Sequence, residues 1–225
     1  MRRIYSWVAV ITLASLSFVA TARAAATIDG ASPDPMASVK SVVDEATGVF
    51  KDNGVAPADR EKKLRAIAES HFDFVSMSRS AVGRHWREFT PDQQAQFVPL
   101  FTAFIEDVYL SQMEHYSVEK VQQAVESANV QFIKERVDAP DEAEVFSEVS
   151  LQSRNKPVDV NYLMKRSGNE WKIYDITIDA ISVIANYRNQ FNRVLNEGGY
   201  DQLVSIMRQK QQALGASMAT QQPNP

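Results

Sequence analysis

The chain has 225 residues, 44% of them hydrophobic and 23% charged, which is ordinary globular usage and excludes a disordered, collagen-like or coiled-coil class. It contains no cysteine, so disulfides, thiolate metal sites, cysteine nucleophiles and a lipidated cysteine anchor are excluded together. The formal charge of −4 falls to about −7 without Arg2, Arg3 and Arg23; this balance argues against a nucleic-acid binder and against adsorption to anionic membrane through a basic surface.

The N-terminus has the layout of an export signal: basic Met1-Arg2-Arg3, an apolar stretch over 7–19, and Ala22-Arg23-Ala24 as a small-x-small cleavage site. A membrane anchor needs about 20 apolar residues, whereas this run is shorter and interrupted by Thr12, Ser15 and Ser17. No hydrophobic pair follows Arg2-Arg3 at the twin-arginine distance, so general secretion is expected. The expected division is a signal peptide over 1–24, a linker over 25–35, a single domain over 36–214 and a disordered polar tail over 215–225. An exported soluble chain without cysteine fits a bacterial periplasm better than the disulfide-rich extracellular class.

Val39, Val42, Val43, Ala46, Val49 and Phe50 recur at helical spacing, and Asn53-Gly54 ends that helix. Pro57 opens a charged helix striped by Leu64, Ile67, Ala68 and His71, and Phe72-Asp73-Phe74-Val75 leads into a shorter one stopped at Gly83. Thr90-Pro91-Asp92-Gln93 combines an N-cap, a proline at the first helical position and a glutamine three residues on. The helix it opens carries Phe97, Leu100, Phe101, Phe104, Ile105, Val108 and Tyr109, and Pro99 is expected to kink it near its start.

From Ser117 the spacing reads as strand, with segments expected over 117–125, 128–138, 143–154, 157–166 and 170–178. Val158, Val160, Tyr162 and Met164 alternate with Asp159, Asn161 and Lys165, the pattern of a half-exposed antiparallel strand. Ser167-Gly168-Asn169 forms a hairpin turn. Ile184, Tyr187, Phe191, Val194 and Leu195 stripe a further helix, Gly198-Gly199 breaks it, and Leu203, Ile206 and Met207 stripe another. Helices, then strands, then helices make an α+β fold: a twisted antiparallel sheet of about 4–5 strands with helices packed on its concave face, NTF2-like in character.

Little here points to chemistry. His71, His85 and His115 have no metal-helix spacing, the eight glycines form no phosphate loop, and no Gly-x-Ser-x-Gly elbow is present. Asp73, Asp175 and Asp179 lack an identified partner base and read as turn, cap or ion-pair residues. The notable feature is the amount of apolar and aromatic surface on elements expected to face one another. The long helix over 97–109 should meet Val160, Tyr162, Met164, Ile176, Ile178 and the segment 181–191, either as a filled core or around a cavity.

Three stretches in order resemble the MlaC, or toluene-tolerance, family: Pro157-Val158-Asp159-Val160-Asn161-Tyr162, Trp171-Lys172-Ile173-Tyr174-Asp175-Ile176, and Ser182-Val183-Ile184-Ala185-Asn186-Tyr187-Arg188-Asn189-Gln190-Phe191. Phe72-Asp73-Phe74, Gly83 with Trp86, and Gln93, Gln94 and Phe97 also occur where that family has counterparts, so the likeness covers roughly 36–210. Asp179-Ala180-Ile181-Ser182 departs from the family's acidic-Gly-hydrophobic-Ser turn, and Pro99 falls inside a helix that is normally uninterrupted.

The resemblance implies a periplasmic phospholipid-binding protein, no enzyme and without cofactor or metal, acting as a monomer. It would hand lipid between an inner-membrane ABC transporter complex and an outer-membrane lipoprotein bound to a porin. A hopanoid-associated member of the same family, an NTF2-like enzyme with a polar pocket, and a solid interaction protein stay open as alternatives. On the lipid reading the slot has three walls: Phe97, Phe101, Phe104, Ile105 and Tyr109; Val160, Tyr162, Met164, Ile176 and Ile178; and Ile184, Tyr187 and Phe191.

Overall fold

The computed structural model describes residues 34–52, 54–114, 118–152 and 154–219. The expected export signal and its cleavage site, His115 and residues 220–225 lie outside these.

Helix α1 (Pro35–Lys51) starts at Asp34, whose carboxylate accepts from the Ala37 amide and so occupies one of the free donors of the first turn. Its periodic valines are buried, as their spacing predicts. Helix α2 (Pro57–His71) follows, then α3 (Phe74–Val82), capped by Asp73 through the Ser76 amide at 2.9 Å and ended by Gly83 at φ 55°. A short 3-10 turn (Gly83–Arg87) leads to α4 (Pro91–Glu114). Its capping box is reciprocal: the Thr90 amide donates to Gln93 Oε1 at 2.9 Å, and the Gln93 amide to Thr90 Oγ1 at 3.2 Å. Pro99 lies inside α4, which runs on past it for more than three turns.

The segment expected as a first strand, 117–125, is instead helical: α5 spans Val118–Ser127. Valine's strand preference misleads here, because tertiary burial decides. Val121, Ala124 and Val125 stand three and four residues apart, which puts them on one helical face. Val121 and Val125 join Phe50 of α1 and Leu64 of α2 in one apolar cluster, Ala124 packs against the cluster that α1 forms with the sheet, and Gln122 donates its side-chain amide to the Phe50 carbonyl at 2.9 Å.

The sheet has five antiparallel strands in the order β1-β2-β3-β4-β5: β1 (Asn129–Ala139), β2 (Glu142–Ser150), β3 (Val158–Ser167), β4 (Glu170–Ile178) and the two-residue β5 (Ile181–Ser182). Gly168, at φ 62°, makes the β3–β4 turn. Between β3 and β4 the register shifts: Leu163 pairs with Asp175, but Met164 pairs with Ile173. This bulge changes the parity of β4, so Trp171 and Ile173 share a face with Ile176 and Ile178 instead of opposing them. Helix α6 (Val183–Ala219) closes the chain and is broken at Gly199, φ 68°, as Gly198-Gly199 predicts; it continues helically beyond residue 215. The architecture is α+β, as expected.

The helices form two groups. α1 lays Val39, Val42 and Val43 on the sheet, in one apolar cluster with Val145, Val160, Tyr162 and Met164. α3, α4 and α6 build a second cluster among themselves. The expectation that α4 meets β3 is therefore corrected: α1 covers the inward face of β3, because its valine stripe is the flat apolar surface that fits a pleated sheet.

Candidate functional site

A third, smaller cluster joins the lower half of α1 to α2 and α5 through Ala46, Phe50, Leu64, Val121 and Val125. Where the three clusters meet, Phe72 packs against the first two and Ile67 against the first and third. A cavity of about 110 Å³ lies between the clusters. Its walls come from Phe50 of α1, Leu64, Arg65 and Ala68 of α2, and Phe72 beside β4. Phe74 and Met77 of α3 add to them, with Ile105, Glu106, Tyr109 and Leu110 of α4. Asp175, Ile176 and Ile178 of β4 and Val183 and Ile184 at the start of α6 complete them.

Three local devices place these walls. The Asp73 amide donates to the Ile173 carbonyl at 2.9 Å, bridging Phe72 to β4 and standing Phe72 and Phe74 side by side with ring centroids 6.0 Å apart. The β4 bulge turns Ile176 and Ile178 toward the helices. Asp175, beside that bulge, accepts from the Ile176 and Ile184 amides at 2.8 and 3.1 Å and from the Ser182 hydroxyl, and so fixes the start of α6 to β4. Burial raises the Asp175 carboxyl above its ordinary value, while those three donors oppose the shift.

Of the residues expected to wall a slot, Ile105, Tyr109, Ile176, Ile178 and Ile184 line this cavity. Phe97, Phe101, Phe104, Tyr187 and Phe191 are packed ring against ring in the helical cluster. Val160, Tyr162 and Met164 lie under α1 in the sheet cluster. Tyr109 and Tyr187 are hydrogen-bonded, so Tyr109 joins the cavity wall to the aromatic cluster; burial raises both phenols, Tyr187 to about 12. Phe50, Leu64, Phe74 and Met77 carry no sequence mark of facing a cavity, because their elements lie far from the strands in sequence; Leu110 adjoins Tyr109 on α4 but falls outside that helix's aromatic stripe. The triplet Phe72-Asp73-Phe74 was the available signal, since two apolar residues flanking an N-cap aspartate enter a helix on one side.

Two charged groups border the apolar lining besides Asp175. Arg65 donates to Glu61 (2.7 Å), Glu106 (2.9 Å) and Asp107 (2.7 Å), tying α2 to α4. Burial works against its charge, but these partners hold its pKa above the usual guanidinium value. Burial likewise raises Glu106, against the pull of Arg65.

The aspartates weighed as acid or base have structural duties. Asp73 caps α3, Asp175 anchors α6, and Asp179 accepts from the Asp159 amide at 3.3 Å. His71 pairs with Glu45 at 3.0 Å, and His85 with Glu88 at 2.6 Å. Among the described residues no cluster of three or more histidines and carboxylates is arranged to hold a metal ion, and no helix is long and apolar enough to cross a membrane.

A family model described as MlaC protein matches residues 40–209. The intermembrane phospholipid transport system binding protein MlaC of Haemophilus influenzae is 22% identical over 212 residues, covering 90% of this chain and 92% of its own. A phospholipid-binding protein from Ralstonia solanacearum, solved in complex with a phospholipid, is 26% identical. It superposes with a TM-score of 0.66, over 81% of this chain and 99% of its own.

Proposed function

The chain belongs to the MlaC family, and from that premise we propose that it is a soluble phospholipid carrier of the periplasm, exported with loss of residues 1–24. In this role it takes lipid between an outer-membrane lipoprotein–porin complex and an inner-membrane ABC transporter complex, and it needs neither a catalytic residue nor a cofactor. The observation that carries the reading is the cavity, whose apolar walls come from six segments of a chain matched by the family along most of its length.

The physics fits the role. A diacyl lipid has about 30 chain methylenes, and at ~0.8 kcal/mol each their exposure to water costs on the order of 20 kcal/mol. A carrier must enclose the tails. The cavity, at about 110 Å³, is smaller than the ~150 Å³ that holds one benzene, so its walls part to admit an acyl chain. The boundary between the clusters supplies the seam: α1 belongs with the sheet and α3, α4 and α6 with one another. Parting the two sides there leaves each cluster's own packing in place and strains the links that cross between them, from the Asp73 amide to the Ile173 carbonyl and from Ile184 and Ser182 to Asp175. Release against so large a transfer energy requires a membrane partner that receives the tails as they leave.

The test is lipid extraction and native mass spectrometry of the protein purified from a bacterial host. About one phospholipid per folded chain is expected. Folded protein that yields no stoichiometric lipid, even after incubation with phospholipid vesicles, would overturn the reading.

A further inference from the structure

On the carrier reading, the cavity's charged edge has a ligand of its own to hold. Arg65 faces three carboxylates: Nε and Nη2 donate to Glu61, Nη1 to Glu106 and Nη2 to Asp107, at 2.7–3.0 Å. Gln211 of α6 donates to the other Asp107 oxygen at 2.8 Å. One guanidinium against three carboxylates leaves excess negative charge, and Glu69 adds to the field at Glu106.

Glu106 is 9% exposed and belongs to the cavity wall, and its Oε1 has no hydrogen-bond partner among the described residues. A buried carboxylate oxygen left without a donor is costly, and this one differs from Asp175, whose two oxygens receive three donors. The edge also reaches water, since Arg65 and Asp107 are each about a quarter exposed.

We propose that Glu106 Oε1, with the excess carboxylate charge around Arg65, is a subsite for the primary ammonium of an aminophospholipid headgroup such as ethanolamine. An ammonium supplies the missing donor and meets a field of its own favourable sign, a charge-assisted hydrogen bond in a poorly hydrated place. A phosphate is disfavoured at the same spot, because four of the five Arg65 N–H donors already go to carboxylates and a second anion would meet the excess negative charge of Glu61, Glu106 and Asp107. The tails then lie in the apolar part of the cavity and the headgroup at the Arg65–Glu106 edge.

The experiment incubates the purified protein with vesicles of equimolar phosphatidylethanolamine and phosphatidylglycerol bearing identical acyl chains, and reads the bound lipids by mass spectrometry. Both lipids leave the same membrane, so surface repulsion cancels from the ratio. The wild type is expected to favour phosphatidylethanolamine about tenfold. Glu106→Gln, which keeps shape and an acceptor for Arg65, should bring the ratio among the bound lipids near one, whatever the total lipid per chain. A wild-type ratio near one, an excess of phosphatidylglycerol, or a preference that survives Glu106→Gln would overturn the subsite while leaving the carrier reading intact. Uptake of neither lipid would overturn both. Should Glu106→Gln fail to fold, competition of phosphatidylethanolamine with phosphatidylcholine on the wild type decides, since choline carries charge without an N–H: equal uptake refutes the subsite, and a several-fold preference for ethanolamine supports it.

Discussion

Helix α4 has two apolar faces that end differently. On one, Phe97 and Phe101 stack at 5.9 Å between ring centroids, and Phe101 and Phe104 meet Tyr187 and Phe191 of α6 at 5.8–6.3 Å, mostly edge to face. On the other, Ile105, Tyr109 and Leu110 face the cavity. Aromatic rings find each other across two parallel stripes and fill the space between them, since edge-to-face pairs interlock. The cavity forms where aliphatic side chains from many elements converge with charged ones and with Phe50, Phe72, Phe74 and Tyr109, rings that do not make two opposing stripes. Two facing aromatic stripes therefore mark the filled part of this molecule, and the cavity lies one face away on the same helix.

The largest expected effect lies on the filled face. Phe101 is fully buried, and Phe101→Ala should lower the unfolding free energy by about 3–5 kcal/mol, read by urea denaturation. A loss below about 1 kcal/mol would show that this face is as open as the other. On the cavity face the balance reverses. Leu110→Asn, nearly isosteric, sets an amide beside hydrocarbon when lipid is bound but beside reachable water otherwise. At ~1–3 kcal/mol for an unpaired polar group, bound lipid should fall about tenfold with most of the stability retained, measured by lipid quantification beside a thermal melt. Collapse of the fold with unchanged lipid per folded chain would erase the distinction between the faces.

The smallest effect concerns the turn that sends α6 to both. Asp179 and Ala180 have φ of 48° and 63°, conformations that L-residues adopt at a cost, and directly after them come Val183 and Ile184 at the cavity, then Tyr187 and Phe191 among the rings. Ala180→Gly should relieve that strain, less the entropy glycine gives up, for a gain of about 0.5–1 kcal/mol. A melting temperature that falls would mean that the turn is held by something other than the backbone preference of residue 180.

Much was legible from local patterns. The valine stripe of α1, the capping box at Thr90, the alternation of β3, the hairpin at Gly168 and the break at Gly199 are short-range features, and each appears where the sequence places it. Val118–Ser127 departs from the expected strand because three valines among polar residues satisfy a strand's composition, while the deciding fact is the apolar cluster that Val121 and Val125 join with Phe50 of α1 and Leu64 of α2. The change of face along β4 had a trace in Trp171-Lys172-Ile173-Tyr174-Asp175-Ile176-Thr177-Ile178. Its apolar positions step by two, then by three, then by two, as a bulge requires.

The amino-acid sequence by itself determined the elements, the α+β class and the likeness to a family, because caps, turns and periodicity act over a few residues. It also supplied every apolar side chain of the cavity. Which of them face it was decided by tertiary structure alone: α1 takes the sheet face that α4 was expected to cover, the β4 bulge turns Ile176 and Ile178 inward, and Arg65 and Glu106, 41 residues apart, meet at its edge. Burial is shared among distant segments, and a stripe shows that a face will be covered without naming what covers it.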